Sequence, residues 1–495
     1  MSRTIATRHR HGLTAAAVAT LTAGLTTGAL LVAGAPTASA ASVPPLATGD
    51  TRTVLEPSVP GTVCKTVTSG LTMPSRTSST ANETTPPDTS RIQSALDACA
   101  QSGSGQVAVK LTAADSSHAA FLSGPLTVHR GEVLLLATGV TLYGSLNPAG
   151  YQVSGKPTCG TVATDSGGCK PLITVSGANA GVEAVRSSSG SQGRIDGRGD
   201  LDLLGTSTTW WDLATEAKNK GQKQNNPRMI QANSSDNFTL YDIDLVNSPN
   251  FHVYYSGNGF TAWGVRIKTP ATARNTDGID PAGATNVTIA DSYIQDGDDG
   301  IAIKGGSAAS RNITVRNSHF YGTHGISIGS ETNSGVSNVL FVNNTLTGTD
   351  SSGNASGSSN GIRIKSSPAN GGTVQQITYT GTCLTKLRYP LVFDTHYSGG
   401  TGSSTPYFTD VVVNGVKSTS SVSGAMSTFV GLNSTHPLGL TLENVSLDAT
   451  SYTASYANIG LYDSDITPSG TGVTTSAASG SGSVPSCSFP SFPSL

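Results

Sequence analysis

Short runs of alternating apolar residues recur along this 495-residue chain at intervals that leave room for little else between them. Each opens on an asparagine: "NFTLYDIDL" at Asn237, "NVTIADSYI" at Asn286, "NITVRNSHF" at Asn312 and "NVLFVNNTL" at Asn338, the last two intervals both being 26 residues. A second series keeps pace, with "GID" at Gly278, "GIAIKG" at Gly300, "GISIGS" at Gly325 and "GIRIKS" at Gly361, offset by 22, 25 and 36 residues. Strands of four or five residues at this period, with no helical periodicity between them, predict a solenoid. Each repeat is one coil of an all-β, right-handed parallel β-helix, with Val, Ile, Leu and Phe turned inward. The 36-residue interval holds "TDSSGNASGSSNG" from Thr349, about eleven extra polar residues expected as a surface loop of the kind that rims a binding face. The leading asparagines predict turn ladders rather than function, because Asn tolerates left-handed backbone and its amide can bond the next coil.

A stack of coils exposes apolar interior at its ends and needs a plug. "PPDTSRIQSALDACAQSGSG" is the one segment that reads as a helix. Asp88 or Thr89 is its N-cap, Ile92, Leu96 and Cys99 form its apolar stripe, and Gly103 is its end, so it is the expected short N-terminal capping helix. Ahead of it, Arg3, Arg8 and Arg10, the apolar run from Ala15 to Ala33 and Ala38-Ser39-Ala40 read as a signal peptide over residues 1–40; a membrane span is the weaker reading, since four threonines dilute the run. Residues 41–85 follow as a Ser/Thr-rich leader, 86–465 as the β-helical catalytic domain and 466–495 as a C-terminal tail, with the leader and residues 466–486 expected to be loosely ordered.

Export makes disulfides the expected state of the six cysteines. Proximity favours Cys64 with Cys99, Cys159 with Cys169 and Cys383 with Cys487 among fifteen connectivities, and the lack of C-x₂-C spacing disfavours zinc. Removing the three leader arginines leaves 26 of 29 basic residues against 31 acidic ones, a net charge of −5 that disfavours a nucleic-acid partner. No later apolar stretch is long enough to span a bilayer, so a secreted, extracellular protein with no membrane partner is expected.

Charged residues are only 12% of the chain, yet "RNTDGID" (274–280) and "QDGDDG" (295–300) concentrate them. Coils stacked about 4.8 Å apart would bring these two segments beside "THGISIGS" and "GIRIKSS" on one face. Asp277, Asp298 and Asp299 would then crowd together, His324 would follow one coil on, and Arg363 and Lys365 would alternate with buried Ile362 and Ile364. Repulsion among three carboxylates should raise at least one pKa, giving an acid and a base side by side, the pair that glycosidic hydrolysis requires. Arg363 and Lys365 suit a sugar carboxylate, which points to an acidic polysaccharide. A lone DGDD reads more readily as an Asp-rich turn or a calcium loop, and His324 or "RIK" alone as structural; their coincidence in successive coils favours the site.

Asn275-Thr276-Asp277, Asp298-Asp299, His324-Gly325 and Arg363-Ile364-Lys365 resemble the NTD, DD, GHG and RIK motifs of the polygalacturonases of glycoside hydrolase family 28, over about residues 85 to 465. The resemblance implies inverting, endo-acting hydrolysis of α-1,4-linked polygalacturonate by a monomer with no cofactor or metal. Asp298 would be the general acid, Asp277 and Asp299 would hold the nucleophilic water, and His324 would maintain the acid's protonation. Arg363 and Lys365 would bind the substrate carboxylate, Tyr397 would contact substrate, and Asn275 and Asp280 would support the site. Two departures are Thr323, where the family has glycine, and Gly300, at a position commonly Cys or Asn. Exo action, a pectate lyase needing calcium, or a β-helical carbohydrate-binding protein are the alternatives.

Overall fold

The computed structural model describes residues 44–495 apart from residue 104, so the segment read as a signal peptide lies outside the described residues. Thirty strands join in one sheet whose pairings are all parallel, wound as a right-handed parallel β-helix. Each central coil contributes to three inward columns. One runs through Ile279, Ile301, Ile326, Ile362 and Leu391. A second runs through Val287, Ile313, Val339, Ile377 and Val411, and a third through Ile267, Ile294, Phe320, Leu346 and Leu384. Nearly every one of these side chains is fully buried, as the alternation predicts.

The helix Thr89–Cys99 plugs the N-terminal end with Ile92, Leu96 and Cys99 inward. Asp88 holds the N-cap position, but its carboxylate accepts from Leu122 N and Arg91 instead of from the helix backbone. All three expected disulfides are formed. A second full helix, Trp210–Lys220, was not expected. Its signals stand in the sequence: Thr209 and Asp212 form a reciprocal capping box, Leu213, Ala214 and Ala217 are buried on one side, and Gly221 ends it in left-handed backbone at φ 62°.

The leader and tail differ from their expected looseness. Residues 47–56 form a strap across the coils: Ala47 N donates to Thr378 Oγ1 (2.9 Å), Asp50 N to Thr314 Oγ1 (2.9 Å), and Arg52 Nη2 to Phe260 O (2.8 Å), while Glu56 accepts from Tyr241 (3.0 Å). At Gly49, φ is 71° and an added Cβ would lie 2.1 Å from Thr314 Oγ1, so only glycine allows this approach. Within the tail, Thr471–Ala477 adds a strand to Tyr452–Ser464. Composition does not reveal the anchors of the strap, because their partners lie 185 to 331 residues away.

The asparagine ladder is present. Asn286, Asn312 and Asn338 have φ of 55°, 58° and 52°. Asn312 Nδ2 donates to Asn286 Oδ1 (3.2 Å) and Asn338 Nδ2 to Asn312 Oδ1 (2.9 Å), and the strap caps the ladder where Thr48 N donates to Asn338 Oδ1 (2.8 Å). Asn312→Ala should therefore cost about 1–3 kcal/mol in chemical denaturation, and Asn312→Gly clearly less, because glycine removes the left-handed penalty while both lose the ladder bonds. Equal losses would show that the backbone conformation contributes nothing.

Candidate active site

The column Ile279–Ile301–Ile326–Ile362 fixes which neighbours face outward. One position after it, Ala302, Ser327 and Arg363 pair in register; two positions before it stand Asp277, Asp299 and His324. The two aspartate-bearing turns are also locked to each other. Asn275 is left-handed at φ 56°. Thr276 Oγ1 donates to Ala273 O (2.7 Å) and accepts from Gly297 N (2.9 Å). A Cβ on Gly297 would lie 2.0 Å from Ala273 O, so the glycine of "DGDD" is what lets the turns touch. Asp296 Oδ1 accepts from Asp298 N (3.0 Å), which aims the next side chain outward.

Asp298 is the most exposed of the clustered aspartates, its side chain 16% accessible. Its Oδ1 meets His324 Nδ1 at 3.0 Å and its Oδ2 accepts from Asn275 Nδ2 at 3.2 Å. Thr323, the departure from glycine, closes the next turn, where its Oγ1 accepts from Gly325 N (3.2 Å) while His324 N donates to Asp298 O (2.6 Å). Asp299 is buried and accepts from Lys365 Nζ (2.6 Å), Arg363 Nη1 (3.3 Å) and Ser327 Oγ (2.8 Å). The Tyr397 ring lies 5.1 Å from both the Arg363 guanidinium and the Lys365 ammonium. Asp277 and Asp280 are buried behind, with Asp277 Oδ1 and both Asp280 oxygens lacking a hydrogen-bond donor among the described residues; Lys304 Nζ stands 3.6 Å from Asp280.

These surroundings divide the carboxylates. Burial, reinforced by the charges of Asp298 and Asp280, raises Asp277 well above the usual range. Burial lifts Asp280 to about 7 against the pull of Lys304, and it raises Asp296 as well. Burial also works on Asp298 and Asp299, but His324 with Lys365 and Arg363 outweighs it at the first, and Lys365 with Arg363 at the second, so both lie below the ordinary value. Repulsion from Asp298 and Asp280 thus adds to burial at Asp277, which keeps its proton in the free site while Asp298 is ionised. Asp298, Asp299 and His324 bring donor atoms within 4.8 Å of one another, but Lys365 and Arg363 already meet the charge there, so a divalent ion would have to displace them.

Several contributors were not read from the sequence. Ser327 and Lys304 occupy outward positions in the "GISIGS" and "GIAIKG" strands, so their spacing could have flagged them. Buried His252, pushed down to about 4 by burial and therefore neutral, has its Nδ1 3.1 Å from Thr276 O and from Asp277 O; it stands 26 residues before Gly278, where the later coils have glycine. Two cavities border the site, one of about 370 Å³ that reaches Gly297 and His324 between helix Trp210–Lys220 and the insertion from Thr349, and another of about 430 Å³ that reaches Asn275 beside Arg228. Lys218 and Arg274 line both, adding cations there.

A family model described as Glycosyl hydrolases family 28 matches residues 138–467. A polygalacturonase of Ralstonia solanacearum is 41% identical over 447 residues, 80% of each chain. An endo-polygalacturonase of Pectobacterium carotovorum subsp. carotovorum is 42% identical over 406 residues, 81% of this chain and 90% of its own. A solved structure of a polygalacturonase from Erwinia carotovora ssp. carotovora matches with a TM-score of 0.71 at 39% identity, covering 83% of this chain and 99% of that one.

The raised carboxyls link stability to pH. Folded Asp277, Asp280 and Asp296 retain protons that the unfolded chain has released above its ordinary aspartate pKa, as do Glu132, lifted to about 7, and Glu183, lifted to about 8, both by burial. These five carboxyls outnumber His252 and His319, which burial keeps neutral and which act in the opposite sense below the ordinary histidine pKa, so the native state binds more protons than the unfolded state and stability falls as pH rises through this window. Tm followed from about pH 5 to about pH 8 is expected to decline, with Asp280→Asn showing a shallower slope. A Tm that climbs over this range would contradict the assignment.

Proposed function

This chain belongs to family 28 of the glycosyl hydrolases, and on that premise we propose that it cleaves the α-1,4 bonds of polygalacturonate from within the chain, as a secreted monomer. It is a pectin-degrading glycoside hydrolase. The observation that carries the finer reading is the pairing of Asp298, partly exposed and bonded to His324, with a neighbouring Asp299 held by Arg363 and Lys365. Asp298 is the general acid, and Asp277 with Asp299 holds the nucleophilic water; the donor-free oxygen of Asp277 suits that task.

Arg363 and Lys365 are engaged with Asp299 in the free site, and a galacturonate carboxylate arriving over the Tyr397 ring joins that ion pair. Its negative charge offsets Lys365 and Arg363, which together with His324 hold Asp298 ionised. The acid's proton affinity then rises when substrate is present, and the proton kept by Asp277 becomes available to the cluster. Asn275 orients the acid through its Oδ2, and Asp280 supports Lys304. Endo action is favoured by the 42% identity to an endo-polygalacturonase. Inversion follows from family membership and not from separation, since oxygens of Asp298 and Asp299 approach within 4.8 Å, closer than the roughly 6.5–9.5 Å usual for inverting pairs.

The test is the identity of the earliest products from de-esterified pectin. Mixed saturated oligomers, released as the inverted anomer in NMR, are expected; monomer or dimer alone would mean exo action, and unsaturated ends a lyase. Asp298→Asn should lower kcat by on the order of 10²–10⁴-fold with polymer binding retained, because an amide donates no such proton. Near-normal turnover would remove Asp298 from its role.

A further inference from the structure

The insertion that lengthens the coil before Arg363 ends on His324. Its base is knotted by Asp350, whose Oδ1 accepts from Ser352 N and Asn354 N, both at 2.9 Å, and whose Oδ2 accepts from Ala271 N at 3.2 Å on another coil. Ser351 N donates to Gln295 Oε1 at 2.8 Å. This tethered arm places Ser356 Oγ 2.8 Å from His324 Nε2, while Ser358 N donates to the same oxygen at 3.1 Å. The other ring nitrogen of His324 is the one that meets Asp298, at 3.0 Å, so the imidazole is held at both ends.

We propose that Ser356 is a positioning residue that accepts a hydrogen bond from His324 Nε2–H, so that the proton exchanged with Asp298 is always the one on Nδ1. The proposal rests on the reading of Asp298 as acid. With Nε2–H held, an imidazolium passes its Nδ1 proton to Asp298 Oδ1; one N–H bond breaks, one O–H bond forms, and cation and anion become two neutral groups. Without the acceptor, the neutral ring is free to keep its proton on Nδ1, where it donates to Asp298 and leaves that carboxylate ionised. The charges facing His324 make this bond matter. Asp298 and Asp299 on the preceding coil favour an imidazolium, whereas Arg363 and Lys365 on the following strand, with Lys218 and Arg274 across the cavity, oppose it. Asp350, the acidic residue of the insertion, is already committed to its knot.

Ser356→Ala is expected to move the alkaline limb of the kcat/KM profile to lower pH by about 0.5–1 unit while leaving the acidic limb in place; Ser356→Thr, which keeps the hydroxyl, should restore the wild-type limb. Nitrogen NMR of the protein saturated with galacturonic acid, whose carboxylate raises the proton affinity of Asp298, should show neutral His324 as the Nε2–H tautomer, shifting towards Nδ1–H in Ser356→Ala. An unmoved alkaline limb, a uniform drop at every pH, or an unchanged tautomer would overturn the role of Ser356. The NMR result does not depend on turnover. An active Asp298→Asn with a normal tautomer response would therefore sink the acid assignment and leave the contact standing.

Discussion

The parallel register of one isoleucine column is the constraint on which the site depends. Ile279, Ile301, Ile326 and Ile362 are wholly buried and directly paired from coil to coil. A slip of one residue in any coil would turn an isoleucine to solvent, and at Ile279 or Ile362 it would carry Asp280 or Arg363 inward, so the core specifies the register strongly. Asp277, Asp299, His324, Ser327 and Arg363 come from segments up to 86 residues apart, and none needs a dedicated loop to reach the others. The coil-to-coil step does the positioning, and the two turns joined through Thr276 and Gly297 refine it.

That economy has an electrostatic consequence. Placing outward charges from successive coils a few ångströms apart, partly shielded from water, would be costly if they were alike. The chain instead pairs opposite signs across coils, with acids at 277, 298 and 299 and cations at 304, 363 and 365. Asp299 is held by two cations and a hydroxyl, whereas Asp277 has a donor-free oxygen, and so one site contains a firmly ionised carboxylate beside a protonated one. The cations proposed to recognise substrate are thus the same ones that set the protonation of the acids.

What could be read from the sequence was whatever is local and periodic. The repeat spacing, the inward isoleucines, the left-handed asparagines and the capping helix each depend on residues near in sequence or on a fixed period. The clustering of Asp277, Asp298, Asp299, His324, Arg363 and Lys365 followed from the period, with the family resemblance supplying their roles. Ser356 was invisible because the insertion breaks the period, and nothing in "GNASGSSNG" distinguishes one serine from the next. His252 does fall on the period, 26 residues before Gly278, and was passed over because it stands where the other coils of that series carry glycine. Helix Trp210–Lys220 was missed although its caps are explicit, because it interrupts a repeat that otherwise accounts for that region.

In a solenoid each coil touches only its neighbours, so local opening at one coil need not propagate. The two chain ends counter this. The N-terminal strap bonds coils from Thr378 back to Tyr241. After Cys487 is pinned to Cys383, the C-terminal residues run back so that Pro490 O accepts from Tyr321 (2.8 Å), Phe492 packs edge-on against Tyr321 and Tyr293, and Ser494 O accepts from Arg266 (3.2 Å). The acids and cations from 277 to 365 lie on coils that both ends cross. Opening any one of those coils must therefore break contacts made to several others, and a site assembled from four rungs gains the cooperativity that stacking alone would not provide.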